Sequence, residues 1–343
     1  MKLGLMIGYW GAGPPADVPQ LVVEAERLGF DSMWTAEAWG SDALTPLAWW
    51  GSATSTLKLG TSILQLAARS PAATAMAALT LDHLSGGRFI LGLGASGPQV
   101  VEGWYGEPYG KPLARIREYV EIIRRILARE EPLEFQGEYY TIPYPGGTGL
   151  GKPLRSITHP LRAEVPIYLA AEGPKNVSLA AEIADGWLAA FYSPRNDDVH
   201  RAALAEGFAR PAARRTRDDF EVACSVSVIV RDDVEAAADV IRPYLALYIG
   251  GMGARDLNFH HEVFVRMGYE AEAKHIQGLY LDGRKDEAAA AVPLRLVEDV
   301  ALVGPVAKIR DELAWWRESA VTTMLVGGDV ATLRTIAELV LGG

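Results

Sequence analysis

One cysteine, Cys224, stands in 343 residues, so an internal disulfide is excluded. It lies in the apolar run "VACSVSVIV", where it reads as a small buried hydrophobe. The six histidines show no metal-ligand spacing, and the neighbours His260 and His261 cannot share one helix face. No metal is expected. Basic excess is lacking too: Lys plus Arg number 33 against 43 Asp plus Glu, a net charge of −10, which argues against nucleic acid or an anionic membrane as partner. The basic cluster Arg210 to Arg217 reads as a solvated loop. No apolar run reaches the roughly 18 residues of a membrane span, and "MKLGLMIGYW" has neither the apolar core nor the cleavage site of a secretory signal. The chain is expected to be cytoplasmic.

What is present is material for a large core, 49% hydrophobic residues with 22% charged. The stretch from Gly86 to Gln99, "GGRFILGLGASGPQ", organises the rest. Arg88 to Leu93 reads as a strand buried on both faces, as in a parallel sheet. The glycines at its end remove Cβ atoms where a backbone can lie against a flat ligand. Gly92-x-Gly94-x-x-Gly97 also spells the dinucleotide fingerprint. That motif belongs in a first βα unit, opens a helix and has an acid about 20 residues on. Here other strand-and-helix units come first, Pro98 interrupts, and Arg115 and Arg117 lie near that spacing. A plain strand-end turn is the competing reading.

Along the chain, strands are predicted at Lys2 to Gly8, Phe30 to Thr35, Leu57 to Leu64, Gly86 to Gly94, Ile167 to Ala171, Gly186 to Ala190, Phe220 to Val230 and Thr322 to Val326. Helices alternate with them: Val18, Leu21, Val22, Ala25 and Leu28 share helical spacing, and Ser70 with Pro71 opens a helix through Leu84. Further helices are predicted at Leu44 to Ser55, Leu113 to Arg129, Pro174 to Ala184, Val234 to about Ile249, and from Val306. Eight alternating units predict an α/β fold, a (β/α)₈ TIM barrel spanning 1–343 as one domain, with insertions at about 131–165 and 251–297. The first insertion is expected to hold a hairpin between Phe135 and Ile142. The second is expected to be mostly helical.

Barrel chemistry lies at the strands' carboxyl ends, where Glu37, Ser62, Gly94 to Gln99, Glu172 and Gly173 converge. Each has a plain alternative: Glu37 as a surface or capping acid, Ser62 as a strand hydroxyl, Gly173 as a helix N-cap. The aromatics Tyr9, Trp10, Trp39 and Trp104 read first as core or rim.

The segments "AERLGFDSMWTAEAW", "LGTSIL", "HLSGGRFILGLGASGP", "AAEGPKNVSLAAEIADGW" and "LVGP" together resemble the bacterial luciferase-like superfamily, in its coenzyme F420-dependent oxidoreductase branch. The resemblance implies that Glu37 stands beside the cofactor's ring system. It also implies that Ser62 and Ile63 are joined by a cis peptide supporting the ring. Gly94, Ala95, Ser96, Gly97, Gln99 and Val100 would line its edge and tail, while Ala171, Glu172, Gly173 and Pro174 would hold its phosphate. The helix starting behind Gly173 offers N–H groups and a dipole end suited to an anion, with Glu172 beside it. The glutamate and histidine of the family's glucose-6-phosphate dehydrogenases fall at Gly97 and Ala38, so sugar-phosphate chemistry is not expected.

These readings point to an F420-dependent oxidoreductase moving a hydride between the deazaflavin and an organic substrate. An unsaturated or carbonyl compound of modest polarity is expected. Glu37 is then the candidate catalytic carboxylate, with Tyr9 or water as other proton carriers. FMN-dependent monooxygenation and cofactor binding without turnover are the alternatives. The resemblance also implies a homodimer.

Overall fold

Strand β1 (Lys2–Ile7) is followed by β2 (Ser32–Thr35), β3 (Lys58–Thr61), β4 (Phe89–Gly94), β5 (Ile167–Ala170), β6 (Gly186–Ala189), β7 (Glu221–Ser225) and β8 (Thr323–Val326). In the computed structural model, which describes residues 1–342, these strands pair in parallel in the order β3-β2-β1-β8-β7-β6-β5-β4. A further pairing of β3 with β4 closes the sheet into a barrel, the TIM-barrel architecture the alternating pattern predicts. Trp34, Ile90, Tyr168, Leu188, Ala223 and Leu325 form one buried cluster, each from a different strand. A Cβ on Gly60 would lie 2.3 Å from the Trp34 ring, so β3 yields the space that the β2 indole fills.

The outer helices bury the stripes their spacing announces. Val18–Arg27 buries Val18, Leu21, Val22 and Ala25, each larger member contributing roughly 1.5–3 kcal/mol when fully removed from water. Pro71–Leu84 starts where the Ser70 hydroxyl accepts from the Ala73 N–H at 3.2 Å. The expected hairpin is present, with Phe135–Gln136 antiparallel to Thr141–Ile142.

Three details differ from the sequence prediction. The third strand is not continuous from Leu57 to Leu64: it stops at Thr61 for the cis Ser62–Ile63 peptide that the family resemblance implied, then Leu64–Gln65 resumes pairing with β4. The seventh segment splits at Val226, because β7 stays in the barrel while Ser227–Val230 pairs in parallel with Ala301–Gly304 in a separate ribbon. A helix at Asp197–Phe208 was not predicted. It buries only Ala203, Leu204 and Gly207, too little apolar bulk to mark a stripe.

The ribbon brackets the second insertion. Between its strands run Val234–Ala246, a π-helical turn at Leu247–Gly251, and helices Phe259–Arg266, Glu270–Leu281, Lys285–Ala290 and Leu294–Val300. They share a second core with Ile241, Leu245, Phe264, Ile276 and Leu296, which Phe191 joins from the loop after β6. Among the described residues no helix is long and apolar enough to cross a membrane.

Candidate active site

The interruption of β3 shapes the floor of the site. A Cβ on Gly92 would fall 1.7 Å from the Thr61 carbonyl oxygen, and one on Gly94 would fall 2.3 Å from Ile63 Cδ1. The Thr61 hydroxyl donates to the Gly92 carbonyl at 2.8 Å and accepts from the Gly92 N–H at 2.9 Å. These two glycines therefore serve the contact between β3 and β4 and seat the Ile63 side chain. Nothing in their geometry requires a dinucleotide, and the fingerprint reading falls away.

Glu37 follows β2 and is 4% exposed. Its Oε2 accepts from the Gln65 N–H at 2.9 Å, and Arg69 Nη1 donates to both oxygens at 2.8 and 3.0 Å. The Gln65 amide donates back to the Glu37 carbonyl at 3.0 Å. A carboxylate held this way has both oxygens committed to charge-assisted bonds.

Two adjoining cavities open over this floor. The smaller, of 440 Å³, is lined by Glu37, Ile63, Gly94, Ala95, Ser96 and Gly97, with Gln99, Val100, Ala171, Glu172 and Gly173. The larger, of 730 Å³, is lined by Ser62, Phe191 and Tyr244 among others, and Tyr9, Ile63, Ala170, Tyr248 and His260 belong to both. Of the residues expected at the site, Ser62 faces only the larger cavity. Pro174 lines neither and instead starts the helix Pro174–Ile183, with Gly173 as its N-cap. Ser96, at φ +61°, and Phe191, at φ +52°, hold left-handed backbone at the rim, a conformation that costs a non-glycine residue roughly 1–2 kcal/mol.

The wall that the sequence did not announce comes from the second insertion. Buried Asn258 caps the helix Phe259–Arg266: its Oδ1 accepts from the His260 and His261 N–H groups at 3.0 and 3.1 Å. Its Nδ2 donates to the Tyr248 and Ile249 carbonyls of the π-helical turn, both at 3.1 Å, carbonyls that this widened turn leaves available. That helix touches Glu172 twice. His260 Nδ1 lies 2.7 Å from Glu172 Oε1, and Arg266 Nη2 donates to the Glu172 carbonyl at 3.0 Å. Tyr248, Phe259 and His260 could not be assigned from the sequence, because Glu172 and His260 are 88 residues apart.

Glu172, drawn toward His260, keeps its Oε2 buried without a partner, as does Asn176 Oδ1 in the first turn of the neighbouring helix. In that turn the Asn176 and Val177 N–H groups both bond the Gly173 carbonyl. The Gly173 and Lys175 N–H groups have no protein acceptor among the described residues. A Cβ added at Gly173 would meet nothing within 4 Å, so the space before these groups is open. Although Tyr9 as a whole is half exposed, desolvation of its hydroxyl pushes it up, Tyr248 Oη holding it back while Glu172 adds to the rise. Burial raises Tyr244 to about 12 and Tyr248 further still. All three phenols are protonated donors at neutral pH. Among the described residues no group of three or more His, Cys, Asp or Glu side chains is placed to hold a metal ion.

A barrel with its cavity at the strands' carboxyl ends, floored by a cis peptide, defines the class. The model of the luciferase-like monooxygenase family matches residues 4–323, and the chain belongs to that family. It is 57% identical over 343 residues, 99% of each chain, to a Mycobacterium tuberculosis protein bearing the provisional name of coenzyme F420-dependent oxidoreductase. It is 34% identical over 241 residues to the 5,10-methylenetetrahydromethanopterin reductase of Archaeoglobus fulgidus, covering 69% of this chain and 67% of that one. Among solved structures, the coenzyme F420-dependent tetrahydromethanopterin reductase of Methanopyrus kandleri superposes with a TM-score of 0.78 at 24% identity, covering 100% of this chain and 99% of that one.

Proposed function

We propose that this protein is an F420-dependent oxidoreductase acting on a small organic substrate. The observation that carries the reading is the polarity of the smaller cavity. Its floor is an apolar platform, Ile63 seated on Gly94, and one end offers the free N–H groups of Gly173 and Lys175 at a helix N-terminus. Flat ring and anionic tail fit those two ends, the tail where backbone donors and the dipole favour negative charge. The buried, unpartnered Asn176 Oδ1 is an acceptor and would take a hydroxyl or N–H of the ligand, not its anion. When bound, the deazaflavin supplies a hydride donor or acceptor whose carbon centre disfavours reaction with oxygen.

The chain's own residues then have separate tasks. Ile63, Gly94, Ala95, Ser96, Gly97, Gln99 and Val100 position the ring and the start of its tail. Ala171, Glu172, Gly173 and Pro174 form the turn that presents the helix donors. Glu37, clamped by Arg69, is a fixed negative charge orienting the ring's polar edge. The larger cavity, walled by Phe191, Tyr244, Tyr248 and Leu188, excludes water and takes a substrate of modest polarity, an enone, ketone or imine. Exposed apolar side chains on the first insertion, including Tyr144, Leu150, Leu154 and Ile157, support assembly as a homodimer. The lone buried thiol of Cys224 suits the reducing cytoplasm.

Fluorescence titration of the protein with F420 and with FMN tests the cofactor, and anaerobic oxidation of bound F420H₂ by ketones, enones and imines tests the reaction. F420 should bind at least tenfold more tightly than FMN. Substrate conversion that requires oxygen and runs on FMNH₂ would overturn the reading.

A further inference from the structure

Hydride transfer to or from a carbonyl or imine also moves a proton, and Glu37, the expected carrier, has both oxygens engaged by Arg69 and Gln65. Tyr9, Tyr244 and Tyr248 at the cavity are phenols, whose ordinary pKa lies well above neutrality. General acid–base work favours a group that ordinarily titrates near neutrality, as imidazole does. One imidazole lines both cavities. His260 projects from the Asn258-capped helix end, its ring held edge-on by Tyr248 (centroids 4.8 Å apart, planes at 79°) and Phe191 (5.9 Å, 81°). Its Nδ1 is committed to Glu172, while Nε2 has no protein partner among the described residues. The other titratable or charged groups near this ring are Tyr9, Tyr248, the neighbouring His261, and Arg266, which holds the Glu172 carbonyl.

From this geometry we infer that His260 is the catalytic proton donor and acceptor for a carbonyl or imine substrate in the larger cavity, and that Glu172 is its positioning residue. The inference rests on the hydride-transfer reading above and supplies its missing proton. In the reducing direction the carbonyl carbon accepts a hydride, with its two electrons, from the reduced deazaflavin. The C=O π pair moves to oxygen, and oxygen takes the proton from His260 Nε2. The products are an alcohol, the oxidised deazaflavin once its ring N–H proton has passed to water, and a neutral imidazole that keeps its Nδ1–H on Glu172 and recovers the other proton from water. Oxidation of the alcohol reverses each transfer. Glu172 fixes which nitrogen faces the substrate and balances the imidazolium charge, the role a buried carboxylate plays beside any histidine that shuttles protons.

Two cofactor-free measurements on the whole chain test this. In ¹⁵N NMR spectra of histidine-labelled protein at pH 8, His260 should carry its proton on Nδ1 and leave Nε2 bare. In Glu172→Ala the ring should return toward the tautomer mixture of free histidine. The second probe is 4-nitrophenol, whose hydroxyl meets the bare Nε2 as the alcohol does in the oxidising direction, titrated by its absorbance. Wild-type protein and His261→Gln should bind it alike, and His260→Gln at least tenfold more weakly. His260→Phe preserves the aromatic packing and replaces His260→Gln should that variant fail to fold. Equal affinity in wild type and variant, absence of binding in both, or a proton on Nε2 in wild type would overturn the assignment. Failure of the F420 titration alone would overturn the cofactor and leave these two results standing.

Discussion

On the barrel side of the cavity, both oxygens of Glu37 have donors, Thr61 and Gly92 exchange two hydrogen bonds, and Ile63 fills the space Gly94 leaves. On the side where β5 meets the insertion, Glu172 and Asn176 each leave an oxygen buried and unpartnered. Native proteins satisfy most buried polar atoms, so the insertion side, with two such oxygens against the single Gln65 Oε1 on the barrel side, is the less finished wall and marks where an outside partner belongs. The barrel side holds shape; the insertion side holds chemistry. Substitutions should therefore cost stability on the first side and binding on the second.

The sharpest break falls at Gly92→Ala. The added Cβ would meet the Thr61 carbonyl at 1.7 Å, and backbone cannot swing aside as a side chain can. Overpacking costs typically 1–3 kcal/mol, and this case should reach about 3 kcal/mol or more in chemical denaturation, with cofactor binding lost as Ile63 shifts. A near-neutral Gly92→Ala would show that the barrel wall yields and would erase the contrast. Glu37→Gln should come next. It leaves Arg69, whose side chain is 23% exposed, with only the more distant Asp42, at 3.9 Å, as counter-charge. Breaking a buried pair costs 3–5 kcal/mol, and partial exposure brings the expected loss to about 2 kcal/mol. A urea titration checks it, and no change in stability would mean that Arg69 finds another partner.

Two histidines sharpen the comparison further, one inside the fold and one at the cavity. His200 stacks on Tyr192 at 4.6 Å and lies 5.2 Å from Trp187, and burial lowers its pKa to about 4 despite the nearby Asp197. Its folded-state pKa lies below the unfolded value, so its effect is nil above about pH 6.5 and stability falls as the pH drops from there toward 4. At pH 5 the loss is about 2 kcal/mol. Between pH 7 and pH 5, wild type should lose about that much more than His200→Gln in paired denaturation curves. Equal losses would place His200 in contact with water.

The sequence made the barrel legible because eight apolar strands and amphipathic helices repeat one pattern, and because the cavity residues of the early strands lie beside their glycines. The cis Ser62–Ile63 peptide at which β3 breaks was legible only through the family resemblance, and nothing showed that residues 227–230 leave the barrel, since apolar side chains run on through that change. The helix Asp197–Phe208 stayed hidden because its buried face is alanine, leucine and glycine. His260 was hidden for another reason. Its meaning comes from Glu172, and only the folded insertion brings the two together.

The smallest effect on the fold, and the cleanest test of the unfinished side, is expected from Gly173→Asp. Gly173 has φ −85° and ψ 150°, a conformation open to any residue, and its missing Cβ faces empty space. Aspartate is a favoured helix N-cap and gains a few tenths of a kcal/mol over glycine there, so the thermal midpoint should hold or rise slightly. The new carboxylate would turn toward the same first-turn donors that an anionic tail requires, and would face Glu172. Charge-assisted hydrogen bonds contribute about 1.5–3 kcal/mol each, so losing even one predicts at least about a tenfold loss in F420 affinity. Raising the salt should recover part of the repulsive share, because the site opens to solvent. Stability and affinity would thus move in opposite directions. Losses of equal size in a melt and a binding titration would mean that Gly173 serves the fold, and that the anion is held elsewhere.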